Sequence, residues 1–449
     1  MHMTWKQYRW ILLWAANLIL IIGVWASLSW RGATAGTVPM MLMSFSRLAA
    51  LLAAYCLVVQ FWLIGRSAWL EQDFGLDRLT RIHRWNGFAT VSFVIIHAFS
   101  LFNAQSMILG VQVPEAVTYV LSNYEDTTKA LIAELSLVLV VVTSLVIVRR
   151  KLPYGFWYYV HLLTYIAIVF SFGHQVHNGQ HLLSYQWFQV YWYALFGISG
   201  AIFVIYRFIR PAWLWQRHRF VVTRVAEEAS GVRSIYIGGK NIQDFSYTAG
   251  QFAKFWFVAK GFWLEEHPFT ISIQPGGEEL RITPKELGDF TARMKRLPVG
   301  TPVVVDGPYG RFTQAVATTK KLVMIAGGIG ITPMRAMLGA LAEAKDKRDI
   351  VLYYSVKSPV EFVFTDELKR FHKDLNLTIY RHVTEGNERG TRHDLLTAEL
   401  IKQDLGSLAK ADFYVCGPPG MTQALRKGLA ESGVKPEHVH YELFSLVRS

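Results

Sequence analysis

The sequence predicts a multi-domain protein: a six-helix transmembrane bundle, then a small β-barrel, then an α/β domain with a parallel sheet. Three observations predict it. Long, charge-poor apolar runs crowd into the first 208 residues, whereas 212–449 carry an ordinary charge density. After the junction, short strands follow one another at even spacing with a single helix among them. From Lys320 onward apolar strands alternate with glycine loops and helices. At 52% hydrophobic residues, with 15 Trp and 28 Phe, the chain is too apolar overall for an ordinary soluble protein.

Six runs approach the roughly twenty residues needed to cross a bilayer. They lie near 10–30, 48–65, 85–105, 130–148, 154–176 and 186–206. The first, held between Arg9 and Arg31, is too long for a signal-peptide core and shows no obvious small-residue cleavage site, so it reads as a retained anchor. Lys6 and Arg9 precede it, Arg66, Arg78, Arg81 and Arg84 lie between the second and third runs, and Arg149, Arg150 and Lys151 lie between the fourth and fifth. Arg207, Arg210, Arg217 and Arg219 follow the sixth, while Glu115, Glu125 and Asp126 fall between the third and fourth. By the positive-inside rule the N-terminus and everything after the sixth span are cytoplasmic. The net charge of +13 then follows from topology and calls for no nucleic acid. The two cysteines, Cys56 and Cys416, exclude a disulfide framework and a four-cysteine iron–sulfur cluster.

An ionisable group inside a span is costly and marks function. The third span carries His83 and His97, fourteen residues apart, so both rings leave nearly one helix face about 21 Å apart along the axis. The fifth carries His161 and His174, with His177 and His181 just beyond. Both spans start on the same side. His83 and His161 therefore share an inner level, and His97 and His174 an outer one. Two imidazoles facing each other across a bundle are the axial ligands of a low-spin haem. Thirteen residues turn a regular helix about 140° off its starting face. His161 and His174 can then face one way only if the helix bends, for instance near Gly173, and His177 stays open as an outer ligand. Glu134 reads as snorkelling to the interface, and Tyr165 and Phe170 as packing.

Beyond the Arg/Trp-rich junction, residues 219–239 alternate like paired strands, and TAGQFAKFWF, EEHPFTISIQP and GTPVVVDGPYGRF add further strands. Regular short strands imply the barrel. GGIGITP, Gly327 to Pro333, follows a buried-type strand and opens a helix, where glycine admits close approach and free N–H groups favour a phosphate. Alone it is a weak signal. CGPPG, Cys416 to Gly420, ends another strand at the same carboxyl edge, where open α/β sheets bind ligands.

HPFTIS, GDFT, GGIGITP and CGPPG, in this order behind a six-span bundle with paired histidines, resemble the ferric reductase and NADPH oxidase superfamily over about 45–444. The resemblance implies a transmembrane haem domain at 1–210, an FAD-binding β-barrel at 211–315 and a ferredoxin–NADP reductase-like NAD(P)H-binding α/β domain at 316–449. It implies His83, His97, His161 and His174 as ligands of two haem b groups, and it favours His174 over His177. It places His267 near the FAD pyrophosphate, Phe269 on the isoalloxazine and Thr270 at its N5 region, and counts Pro268 and Ser272 of the same motif among the FAD-binding residues. Gly288 and Thr291 would meet the pyrophosphate. Gly327, Gly328, Gly330, Thr332 and Pro333 would form the phosphate loop for NADPH or NADH, and Cys416, Gly417 and Pro418 would lie beside the nicotinamide. Phe444 resembles the aromatic that covers the flavin.

The function implied is electron transfer from cytoplasmic NAD(P)H through FAD and two haems to a small extracytoplasmic acceptor, with no protein base or nucleophile. Dioxygen, giving superoxide, is the first expectation, and a ferric chelate the second. Compact loops without EF-hand sequences suggest a bacterial plasma membrane. A metal transporter with a nucleotide-regulated tail is the alternative from another class. Lys357 and Arg381, at strand ends, are the candidates for reading a ribose 2′-phosphate.

Overall fold

The computed structural model describes residues 5–442 apart from 150, 153, 263, 264, 387 and 389. Contacts divide the chain into two compact units that meet in sequence between Tyr206 and Arg207.

Among the described residues of the chain, six helices are long and apolar enough to cross a membrane. The membrane unit runs α1 (Trp5–Ala35), α2 (Val38–Ile64), α3 (Ala68–Phe74), α4 (Leu76–Leu109), α5 (Val113–Asn123), α6 (Thr127–Ser144), α7 (Val146–Arg149), α8 (Tyr154–Asn178), α9 (Gln180–Ser184) and α10 (Gln186–Val204). Pro39 and Pro114 fall in the first turns of α2 and α5, where the missing N–H breaks no helical bond. The connection between α4 and α6 holds the eleven-residue helix α5. The sixth span does not stop at 206. It passes through a π turn, Ile205–Ile209, into α11 (Arg210–His218).

Helix α2 carries small residues, Ala49, Ala53 and Ala54, in its buried face, which allows α4 to come close. Three side chains then tie α2 to α4 at successive depths. Ser46 Oγ donates to the His97 carbonyl at 3.0 Å, Asn86 Nδ2 to the Cys56 carbonyl at 2.8 Å, and Gln60 Nε2 to the His83 carbonyl at 3.1 Å. In hydrocarbon such bonds have no water to compete with, so they fix the rotation of α4 and with it the direction of its histidines.

The second unit continues with β1 (Val221–Ala229), β2 (Val232–Gly238), β3 (Phe252–Phe257), β4 (Glu266–Thr270), β5 (Leu280–Ile282), α12 (Asp289–Arg293) and β6 (Val303–Tyr309). These strands form two three-stranded antiparallel sheets, β1-β2-β5 and β4-β3-β6, not one continuous barrel ladder. Isolated bridges, Val221 to Pro302 and Ile271 to Ile282, join their edges. Across the first seam the Val222 N–H donates to the Thr301 carbonyl and the Val303 N–H to the Phe220 carbonyl, each at 2.9 Å. The core between the sheets is apolar and aromatic, with Phe220, Ile235, Phe255, Phe257 and Val305 fully or almost fully buried.

The last part runs β7 (Lys321–Gly327), α13 (Ile331–Glu343), β8 (Asp349–Val356), α14 (Thr365–Asp374), β9 (Leu377–Val383), α15 (Ala398–Leu405), β10 (Ala411–Cys416), α16 (Pro419–Glu431) and β11 (Val439–Glu442). Its five strands are parallel in the order β11-β10-β7-β8-β9. Near-continuous apolar runs such as LVMIA suit strands covered on both faces. Because β7 and β10 are neighbours, the loops that leave them share one edge.

Candidate functional site

In the membrane unit the ring centres of His83 and His161 lie 6.1 Å apart, and those of His97 and His174 lie 6.4 Å apart. An ion held by one nitrogen of each ring at about 2 Å puts the two ring centres roughly 6 Å apart. Both pairs therefore fit a bis-imidazole haem iron as they stand. His83 Nδ1 and His161 Nδ1 are buried without a partner, and the outer His97 has its Nδ1 within 3.0 Å of the Ser46 carbonyl. His177 is engaged elsewhere, with its Nδ1 2.8 Å from Asp126 Oδ2. That contact takes it away from the pair and leaves His174 as the outer partner. Helix α8 carries His161 and His174 on one continuous α-helix, Tyr154–Asn178. A Cβ on Gly173 would lie 3.0 Å from Asp126 Oδ2. Trp157 packs on His161 with ring centres 5.0 Å apart and carries the Arg149 guanidinium over its ring at 4.7 Å.

In the second unit β4 supplies His267, Pro268, Phe269 and Thr270. Thr270 Oγ1 is buried with no hydrogen-bond partner, a polar atom left for a ligand. Ser272 is not so placed. Its hydroxyl is spent on the Arg281 carbonyl at 3.1 Å and the Thr283 hydroxyl at 2.8 Å, which makes it part of the core between β4 and β5. The His267 ring lies 3.8 Å from that of Phe290 and its Nε2 is 3.3 Å from Glu265. Burial lowers the pKa of His267 against the pull of Glu265, so it is neutral at pH 7 and offers a hydrogen bond, not a charge. Thr291 Oγ1 accepts from the Gly288 and Leu287 N–H groups and caps the start of α12. Phe444 lies outside the described residues.

At the sheet edge, Gly327, Gly330 and Gly417 have a reason the sequence did not show. A Cβ on Gly330 would lie 2.2 Å from the Cys416 carbonyl oxygen, one on Gly417 would lie 2.9 Å from Gly327 Cα, and one on Gly327 would meet Pro418 and Met421 at 2.7 Å. These glycines let the two loops clasp each other. Gly328 differs, for its φ of +54° is left-handed and nothing lies within 4 Å of its Cβ position, so it presents open backbone. Thr332 is buried with its hydroxyl on the Ile329 carbonyl at 3.0 Å, and Pro333 is buried in the first turn of α13. Burial first, and the Glu442 charge second, hold the Cys416 thiol far above its ordinary pKa, so it stays a neutral thiol. Arg381 is already stacked on Phe362 at 4.0 Å and paired with Glu388 at 3.2 Å, whereas Lys357 is exposed.

The sequence reading missed Ser46, Asn178 and the Arg281–Glu367–Arg335 cluster. Arg281 of β5 bonds Glu367 of α14 at 2.7 Å, and Arg335 of α13 bonds the same carboxylate at 2.6 Å. The cluster pins the two-sheet region to the parallel-sheet region. No local signal marks it, since its members are 54 and 32 residues from each other along the chain in the order Arg281, Arg335, Glu367.

Residues 49–172 match the ferric reductase like transmembrane component, 233–313 an FAD-binding domain and 324–427 an oxidoreductase NAD-binding domain. Taken in this order, the three matched regions fit the ferric reductase and NADPH oxidase superfamily, and they make the chain an oxidoreductase. It is a multi-pass membrane protein. Among curated relatives, a flavohemoprotein of Bacillus subtilis (strain 168) is 26% identical over 240 residues, 51% of this chain and 60% of its own length. Ferric reduction oxidase 7, chloroplastic, of Arabidopsis thaliana is 27% identical over 376 residues, 74% of this chain and 46% of its own length. The chain spans about 60% of the length of the flavohemoproteins it matches. Of solved structures, the FAD/NAD-binding domain of nitric oxide dioxygenase from Vibrio cholerae aligns over 50% of this chain and 96% of its own at 25% identity and TM-score 0.45. A ferredoxin NADP+ reductase from Neisseria gonorrhoeae with bound FAD and NADP aligns over 50% and 98% at 20% identity and TM-score 0.44.

Proposed function

We propose that this chain carries electrons across a bacterial plasma membrane, from NAD(P)H on the cytoplasmic side through FAD and two haem b groups to a small acceptor on the other side. The observation that carries the reading is the double His pair, whose ring centres at 6.1 and 6.4 Å leave the room a haem iron needs at two levels of one bundle. Bound at these sites, the flavin would supply the step from hydride to single electrons and the haems would relay them, so the redox chemistry belongs to the cofactors.

The chain's own residues bind, orient and exclude. His83 and His161 would hold the inner haem and His97 and His174 the outer one, each from two helices. Thr270 offers its uncommitted hydroxyl to the flavin, Phe269 an apolar ring face, and neutral His267 a hydrogen bond to the pyrophosphate region. Gly328 and the N–H groups at the start of α13 offer a phosphate site. Gly417 and Pro418 hold that loop in place, and the buried Cys416 thiol adds no charge beside a nicotinamide.

Dioxygen is the acceptor proposed first, because the connections α5 and α9 are short helices that a small molecule could pass. A ferric chelate is the second reading, favoured by the name of the Arabidopsis relative. The test is an anaerobic absorbance spectrum of the purified, haem-loaded protein with NADPH or NADH, followed by air or a ferric chelate. Flavin bleaching followed by reduced haem bands is expected, and then superoxide-dismutase-sensitive reduction of cytochrome c on admitting air. A protein without a Soret band would sink the proposal. Iron reduction without superoxide would move the acceptor to the second reading.

A further inference from the structure

The four histidines of the bundle are alike in sequence and unlike in support. His83 Nδ1 and His161 Nδ1 are buried with no partner. His174 Nδ1 lies 3.3 Å from the Asn178 amide nitrogen, which makes its short bond at 2.6 Å to the Glu125 carbonyl, and the Glu125 backbone also hydrogen-bonds the His174 ring. His97 differs in being held by a side-chain hydroxyl. Ser46, buried at 1% exposure on α2, donates its hydroxyl proton to the His97 carbonyl at 3.0 Å. Its Oγ then faces His97 Nδ1 at 2.9 Å as an acceptor, and its own carbonyl faces the same nitrogen at 3.0 Å. Two acceptors on one ring nitrogen require that nitrogen to carry the proton. The Nε2 lone pair is thereby left to a ligand.

We infer that Ser46 is a positioning residue for the outer haem. It locks His97 in the Nδ1–H tautomer and makes it a stronger electron donor than the unpartnered histidines of the inner level. The inference rests on the haem ligation proposed above. An acceptor on Nδ1–H draws the proton outward and pushes electron density to Nε2, which favours the ferric iron over the ferrous and so lowers the midpoint potential. The couple exchanges one electron at the iron, and the Nδ1 proton stays on the ring between its two acceptors throughout. The hydroxyl does a second job, since the same oxygen that accepts from His97 ties α2 to the α4 backbone beside it. The inner haem receives no comparable contact, so the two levels of the bundle are tuned separately by this one side chain.

The test is a potentiometric titration of Ser46→Ala and Ser46→Thr in the full-length, haem-loaded chain, with the outer haem's signals assigned by their absence in His97→Leu. Ser46→Ala is expected to move the outer midpoint to a more positive value and leave the inner one where it is, and Ser46→Thr, which keeps the hydroxyl, to restore the wild-type value. An unmoved outer midpoint, or equal shifts at both haems, would overturn the inference. If Ser46→Ala loses the outer haem, retention of that haem at the wild-type midpoint in Ser46→Thr supports it, and loss in both variants overturns it. A wild-type chain that binds no haem at all fails the proposed function instead, which separates the two failures.

Discussion

In the membrane unit, the paired His rings stand 6.1 and 6.4 Å apart, centre to centre. In the second unit, the Gly327 and Gly417 loops touch so closely that a Cβ on either would overlap a neighbour at 2.7 Å or less. One site is a gap held open by helices, the other a contact closed by backbone. The gap is indifferent to what its side chains do for folding, because the bundle is fixed by α2 bonding to α4. The contact is part of the fold itself. Substitution at the first should cost function and spare stability, and substitution at the second should cost stability before function is reached.

The largest effect tests the gap. His97→Leu should abolish the outer haem and the reduction of an external acceptor while leaving flavin reduction by NAD(P)H intact, read by haem content and stopped-flow flavin bleaching. Acceptor reduction that survived would break the two-level ladder. Next comes the contact. Gly330→Ala would drive a Cβ into the Cys416 carbonyl at 2.2 Å and should destabilise the second unit by about 3 kcal/mol. Gly328→Ala meets open space and only the strain of its left-handed backbone, about 1 kcal/mol. Chemical denaturation of the two variants compares them, and equal costs would show that the loops do not clasp.

Another effect concerns acid. Asp412, fully buried at the start of β10, is pushed up by burial but more than offset by His440, the Thr319 hydroxyl and the Thr318 and Thr319 N–H groups, which hold its pKa at about 2. A carboxylate whose folded pKa is depressed contributes stability above its ordinary pKa of 3.8 and loses it as pH falls from there through about 2. That is about 2 kcal/mol. His440 is itself kept neutral by burial, so it donates an N–H and supplies no charge that pH 7 could remove. Denaturation of the wild type and Asp412→Asn between pH 5 and 2 should converge toward the acid end. Parallel curves would remove Asp412 from the account of the second unit.

Much of the architecture was legible without coordinates. Six spans follow from hydropathy, because hydrocarbon leaves a backbone few alternatives to the helix. The depths of His83, His97, His161 and His174 follow from a rise of about 1.5 Å per residue. The strand–glycine–helix pattern from Lys321 onward follows from alternating apolar runs, and HPFTIS and CGPPG were visible as motifs. Those are properties of neighbouring residues in the chain.

What the tertiary structure decided are the contacts between residues far apart in it. His177 was a rival to His174 until Asp126, 51 residues away, claimed it at 2.8 Å. Ser272 belongs to the HPFTIS run, yet its hydroxyl is spent across the sheet on β5. Gly330 reads as a phosphate-loop glycine and turns out to be required by the Cys416 carbonyl. Ser46 carries no motif at all, and only the packing of α2 on α4 brings it to His97. Periodicity fixes which face and which depth a residue takes, but which of two candidates finds a partner, and which proton that partner holds, is set by helices and strands whose meeting no local pattern encodes.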